Sequence, residues 1–231
     1  MRDKLSLKPT PQQTFRLIGH GVDGDLAGRL ARSREAEARG LFEQACNERY
    51  LAFQDIVEIL PEDEAVELDR NHPNTLAAME IILGSAVDNY LVGDAELAAT
   101  QLELLLDCDS EDPLEATPTL ALCYIALGEW DSLAEIECDV EEKMPLRPLL
   151  RMCRTFATEG SLAAEDIASL RRHAEVVAEF KASEHPTDHA YVEDISSERP
   201  SRKALARELY LRCEPAFAGI KGFIEQLSQA L

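Results

Sequence analysis

The chain has no run of about 18 or more apolar residues, so nothing in it reads as a membrane span. Its opening, "MRDKLSLKPTPQQTFRL", carries charges and prolines where a signal peptide needs an unbroken apolar stretch, and the expected compartment is the cytoplasm. The six cysteines (46, 108, 123, 138, 153 and 213) form no C-x-x-C pair, and their apolar neighbours predict reduced, buried thiols. Four of them stand 15 residues apart from Cys108 to Cys153, a spacing that crosses several predicted helices and matches no metal-ligand pattern. Alternation with period two is absent over any useful length, which leaves strands little support. No Ser or Cys sits in a recognisable nucleophile elbow, and five scattered histidines suggest no triad. Carboxylates are so abundant that no general acid–base pair can be singled out.

Basic residues are missing in one place above all. Between Arg70 and Lys143 lie 72 residues with no Lys or Arg and with 17 Asp and Glu. The whole chain carries −21, from 23 basic and 44 acidic side chains. Its ends are basic: residues 1–34 hold seven basic and three acidic side chains, and residues 199–231 six and three. A field of this sign repels nucleic acid and anionic membrane, and attracts cations or basic protein segments. It also serves as a solvated surface that keeps a chain in solution.

What is present is helical periodicity. Residues 1–20 read as an arm, since Pro9 and Pro11 block helix. From about Asp25 the pattern turns helical. In 41–60, Leu41, Ala45, Ala52, Phe53, Ile56, Val57 and Leu60 recur at steps of three and four, and Pro61 ends the run. The stretch 61–74 is a polar connection with room for a helical turn, and Asn74 or Thr75 suits the N-cap of a helix running to about Val92. Glycines at 40, 93, 128 and 160 separate paired helices. The last two intervals, 35 and 32 residues, approach the period of a helix–turn–helix repeat. Gly128 lies between "LALCYIAL" and "EWDSLAEIECDVEE", where a residue without Cβ can take the left-handed conformation that closes a helix. After Phe180 the polar stretch 181–200 reads as a loop, followed by two short helices near 202–213 and 215–229, with Pro215 in the first turn of the second.

In one copy of the repeat, Leu120, Ala121, Tyr124, Gly128, Trp130 and Pro145 stand at repeat positions; Leu133 takes the place of the usual second-helix Ala. In the copy before it, Gly93, Asp94, Ala98 and the Leu105–Leu106 pair match, while Tyr90 is one place late and Ser110 replaces the Pro. A third copy keeps Phe156 and Gly160. Over about residues 74–180 the sequence thus resembles the tetratricopeptide repeats. The resemblance implies an all-α right-handed solenoid of antiparallel helix pairs. Its expected parts are an arm (1–24), a divergent N-terminal hairpin (25–73), three repeats (74–180), the loop (181–200) and a capping pair of helices (201–231). It also implies protein binding without catalysis or cofactor. The first helix of each pair would line a groove into which Leu83, Val87, Tyr90, Leu122 and Ile125 project, to meet a partner with basic residues around apolar anchors.

Readings from other classes compete. Acidic charge and three repeats are similar to those of secretion-type chaperones, which hold unfolded clients. "LIGHGVDGDLAG" contains G-x-G-x-x-G at Gly19, Gly21 and Gly24 before a predicted helix, the order of a dinucleotide-binding turn. Against it, no βαβ unit follows, and Asp23 and Asp25 would set negative charge beside a pyrophosphate. "HPTDH" brings His185, Asp188 and His189 together, with Glu184, Glu193 and Asp194 nearby, as N and O donors for a divalent metal, although Pro186 opposes the helix that usually presents such a pair. Tyr90, Tyr124, Trp130 and Phe156 read as packing in preference to an aromatic box.

Overall fold

The structure, a computed structural model, describes residues 4–61 and 66–231. Part of the connection 61–74 therefore lies outside the described residues. Twelve helices and two short strands occur among those described, so the chain is predominantly helical. It divides into two compact units, residues 1–120 and 121–231.

The N-terminal unit begins with a hairpin. The expected arm is a β-hairpin, β1 (Leu5–Pro9) paired antiparallel with β2 (Phe15–Gly19), Leu7 opposite Leu17. Leu5 and Leu17 are buried and Lys8 and Arg16 exposed, but on strands of five residues burial grades along β1 instead of alternating. Phe15 also forms a parallel bridge with Leu68: Phe15 N donates to Glu67 O and Asp69 N to Phe15 O, each at 2.8 Å.

Four helices follow: α1 (Leu26–Ala38), α2 (Phe42–Val57), α3 (Pro73–Leu91) and α4 (Ala95–Cys108). Each packs on the next, and α1 also packs on α3. The apolar face expected in 41–60 is α2, whose Ala45, Ala52, Phe53 and Ile56 are buried. In α3, Ala77, Ala78, Met79, Ile81, Ile82 and Ala86 are all buried, because the helix is covered by α1, α2, α4 and β2. Full burial of one side chain the size of Met or Ile contributes about 1.5–3 kcal/mol.

The cap of α3 also departs from expectation. His72 is the N-cap and Pro73 occupies the first helical position, so Asn74 and Thr75 fall inside the first turn. Their side chains join the helix to the hairpin instead. Asn74 accepts from Leu26 N (2.8 Å) and donates to Leu17 O (3.1 Å), and the buried Thr75 hydroxyl accepts from Leu17 N (3.0 Å). These bonds satisfy backbone groups that would otherwise be buried without partners.

The glycine turns are where the spacing puts them. Gly40, Gly93, Gly128 and Gly160 have φ of 73°, 92°, 74° and 73°. At the first three the same pair of bonds closes the helix: Leu41 N to Ala36 O with Gly40 N to Glu37 O, Asp94 N to Asn89 O with Gly93 N to Tyr90 O, and Glu129 N to Tyr124 O with Gly128 N to Ile125 O. This is the Schellman closure, which demands a left-handed residue.

The helix α5 (Ala116–Leu127) contains the boundary between the units. Beyond it the C-terminal unit holds α6 (Trp130–Ile136), α7 (Leu146–Glu159), α8 (Ala164–Leu170), α9 (Ala174–Lys181), α10 (His189–Ile195), α11 (Arg202–Ala218) and α12 (Phe223–Ala230). Leu133 of α6 is fully buried and Ala134 exposed, so Leu133 is the residue that packs inward from this helix. The stretch 181–200, read as a loop, contains α10, whose N-cap Asp188 accepts from Tyr191 N. Pro215 lies inside α11 and does not start a helix; the last helix begins only after Gly222, at φ 81°. The aromatic core explains the continuation: Phe223 packs on Phe217 and Phe156 at ring-centre distances of 5.0 and 5.5 Å, and Ala216 and Phe217 are buried on the turn that follows the proline.

Candidate functional site

The glycine motif is a fold element. A Cβ on Gly19 would lie 1.9 Å from Gly24 O, and one on Gly24 would lie 2.0 Å from Lys4 O, so these two glycines allow the hairpin end and the loop to touch. The N-terminus of α1, where a pyrophosphate would sit, is occupied by the chain's own acceptors: Asp25 Oδ1 takes Gly28 N at 3.0 Å and Asn74 Oδ1 takes Leu26 N at 2.8 Å. With a two-stranded antiparallel hairpin in place of a βαβ unit, the geometry overturns the dinucleotide reading.

The histidine loop is likewise committed elsewhere. His185 Nδ1 donates to Glu179 Oε1 at 2.8 Å, and its ring stacks on Tyr210, centres 3.6 Å apart and 19° from parallel. Glu179, only 4% exposed, also accepts from Arg207 Nε at 2.8 Å, and Arg207 Nη1 donates to Pro186 O at 2.9 Å. This clasp ties the 182–188 segment to α9 and α11. Burial pushes the Glu179 carboxyl up, but the hydrogen bonds and charges of Arg207 and His185 outweigh it and hold the group below the usual carboxylate range. His189 is exposed on α10 beside Glu193, at 3.4 Å. Among the described residues no group of three or more His, Cys, Asp or Glu is placed to hold a metal ion.

A second polar assembly lies in an open cleft of about 1100 Å³ in the N-terminal unit. Its lining mixes apolar side chains, among them Leu51, Val57 and Leu104, with Lys4, Arg29, Arg32, Glu48 and Asp55. Arg29, 8% exposed at its side chain, reaches both Asp55 and Glu48; Lys4 meets Asp55 at 2.9 Å and Arg32 meets Glu48 at 2.8 Å. Burial raises the Asp55 carboxyl, and bonding to Lys4 and Arg29 more than reverses this and holds it below the usual carboxylate range. The network sets three cations against two carboxylates and joins the start of β1 to α1 and α2. Arg49 plays a similar part, bonded to Asp88 at 2.7 and 2.8 Å and to Glu37 at 2.8 Å, so that α1, α2 and α3 share one buried guanidinium.

The acidic surface is the remaining feature. In the N-terminal unit Glu96, Glu103 and Asp107 are exposed along α4, at spacings of seven and four that make one stripe. In the C-terminal unit Asp131 and Glu135 are exposed one turn apart on α6, with Glu141 and Glu142 beyond. Of the 17 acids of this stretch, Glu80, Asp88, Asp109 and Glu111 bond to Arg34, Arg49 and Arg70, and Glu137 to Arg154, all cations from outside the stretch.

The five residues expected to face a groove divide. Leu83 and Val87 are half-buried; Tyr90, Leu122 and Ile125 are 3%, 1% and 2% exposed, and as packed here present almost no surface to a partner. Of the aromatic set, Tyr90 and Tyr124 are buried, Phe156 packs in the C-terminal unit's aromatic core and Trp130 is half-buried. Sequence reasoning missed both the Arg29–Asp55 network and the Glu179 clasp. Their bonded pairs are 16 to 51 and 6 to 28 residues apart, and no local spacing announces such pairs.

The thiols also divide. All six cysteines are free; Cys108, Cys123, Cys153 and Cys213 are buried as expected, whereas Cys46 is half-buried and Cys138 exposed. No helix among the described residues is long and apolar enough to cross a membrane. Comparison with known proteins finds no matching family model, no matching curated protein and no matching solved structure.

Proposed function

We propose that this chain is a protein-binding module, a right-handed superhelix of tetratricopeptide-like helix pairs that engages a partner with basic segments through its acidic surface. The observation that carries the reading is the stretch between Arg70 and Lys143, acidic throughout and exposed along α4 and α6. Like charges a turn apart, as at Asp131 and Glu135, destabilise a helix by about 0.2–0.5 kcal/mol per pair, and mixed signs would stabilise it by as much. A surface serving solubility alone gains from mixing both signs. One that forgoes the gain has a use for its field, and faster association with a positive partner is such a use. The repeat reading is supported by the identical helix closures at Gly40, Gly93 and Gly128 and by the inward packing of Leu133.

Capture of partners by cross-linking and mass spectrometry, followed by Kd measurements against salt, tests the proposal. Exposed charges are screened over about 8 Å at physiological ionic strength, so affinity should fall clearly as salt rises toward roughly 0.5 M. An affinity indifferent to salt, or cross-links confined to the basic residues of the N-terminal hairpin, would overturn it.

A further inference from the structure

Four large apolar side chains stand exposed at one end of the N-terminal unit: Leu41 (40%), Phe42 (64%), Leu91 (55%) and Val92 (78%). Their common location follows from the ion pairs. Arg29 with Asp55 and Arg49 with Glu37 make α1 and α2 antiparallel. Leu26 with Asn74 and Arg34 with Glu80 make α1 and α3 parallel. Arg49 crosses α3 at Gly84, where an added Cβ would lie 2.8 Å from its Cδ, before its guanidinium reaches Asp88, so Phe42, seven residues before Arg49, lies at the height of Leu91, seven residues beyond Gly84. The Schellman turn explains Leu41, because the residue after the glycine commonly folds back on the helix it ends. It does not explain Phe42, Leu91 or Val92. Apolar side chains exposed singly are ordinary, but a group of them rimmed by charge marks an interaction surface.

We propose that this edge anchors a partner segment whose apolar side chains are flanked by lysine or arginine; the inference rests on the reading of the chain as a partner-binding module. The rim selects the occupant. Glu43, Asp94 and Glu96 are exposed on the same turns, Glu37 being paired with Arg49, and within residues 35–48 the only cation is Arg39, 3.8 Å from Glu35. A second copy of the chain would bring two such rims face to face, and a nucleic acid or anionic membrane would meet the same repulsion. A segment with Leu or Phe between basic residues satisfies both the apolar centre and the acidic border. Its docking place is the turn edge, where Leu91 extends by one turn the row of the half-buried Leu83 and Val87.

The test titrates the full isotope-labelled chain with an amidated Leu/Lys peptide of about 18 residues, long enough to hold a helix, and follows backbone amide shifts. A control peptide has Ser in place of every Leu. The expected result is shifts centred on residues 40–43 and 90–96. The Ser peptide, and the double variant Phe42→Ser/Val92→Thr, which adds no charge, should each bind about tenfold or more weakly. A second variant, Leu91→Ser, should act in the same direction with the melting temperature unchanged. Shifts confined to α4 or α6 with both variants binding normally would overturn the edge and leave the acidic module standing; so would a Ser peptide that binds as well as the Leu peptide. Self-association of the wild type that the variants abolish would assign the edge to a second copy instead. Absence of salt-sensitive binding by either peptide would remove this inference and the module reading together.

Discussion

Gly24 and Gly93 are both indispensable by the geometry, but for opposite reasons, and one series of substitutions separates them. Gly93 has φ +92° with nothing within 4 Å of an added Cβ, so any cost is backbone conformation alone. Left-handed backbone costs an ordinary L-residue about 1–2 kcal/mol, least for Asn and most for β-branched residues. Gly93→Val should therefore cost roughly 2 kcal/mol and Gly93→Asn well under 1. Gly24 carries no such torsional demand. Its added Cβ would meet Lys4 O at 2.0 Å and His20 N at 2.3 Å, where a carbon and an oxygen normally stay about 3.3 Å apart. The hairpin end must then retreat by over 1 Å, and the 2.8 Å bond from His20 N to Lys4 O is lost. Overpacking of this kind plus one broken hydrogen bond amounts to about 3 kcal/mol for Gly24→Ala. For a chain of this length each kcal/mol lowers the melting temperature by about 2–4 °C, so Gly24→Ala should melt roughly 6–12 °C below wild type. Thermal melts followed by circular dichroism read all three variants. A Gly24→Ala protein that melts with the wild type, or Gly93→Asn as damaging as Gly93→Val, would refute the distinction.

Two further outcomes are expected from the carboxylates and the thiols. Because the folded carboxyls of Glu179 and Asp55 lie below their unfolded values of about 4.3 and 3.9, their stabilisation is complete above those values. It is lost as pH falls through the folded ones, so the urea midpoint should drop on acidification below about pH 4.5, and Glu179→Gln should flatten that dependence; equal slopes in wild type and variant would show the clasp to be energetically silent. In the native state Cys138 should react first with a thiol reagent, Cys46 more slowly, because burial and the Asp88 carboxylate push its thiol up, and the other four only on unfolding, with Cys108 and Cys213 pushed by burial to about 12; prompt native labelling of Cys153 or Cys213 would contradict their burial.

Some of this protein is legible without its structure, for a local reason. Helices declare themselves through a period of three to four residues, and their ends through glycine, so α2, α3 and the turns at Gly40, Gly93, Gly128 and Gly160 stand where the sequence places them. Charge is additive and needs no fold, so the acidic stretch from Asn71 to Glu142 is determined by sequence alone. Contacts between distant residues are not local, and there only the tertiary structure decided. The five-residue strands gave too few alternations to register, and pair because Phe15 and Leu17 find Leu68 and Thr75 some fifty to sixty residues on. Asn74 has the chemistry of a cap, yet spends it on Leu17 and Leu26 because Pro73 and His72 already start the helix. Pro215 reads as a helix start, yet α11 runs through it because Phe217 is held in the aromatic core. His185 carries metal-ligand chemistry, but Glu179, Arg207 and Tyr210, brought to it from α9 and α11, turn it into a clasp. Which side chains remain for a partner is decided last of all, since exposure belongs to the packed molecule: Tyr90 is covered and Val92, two residues away, is not.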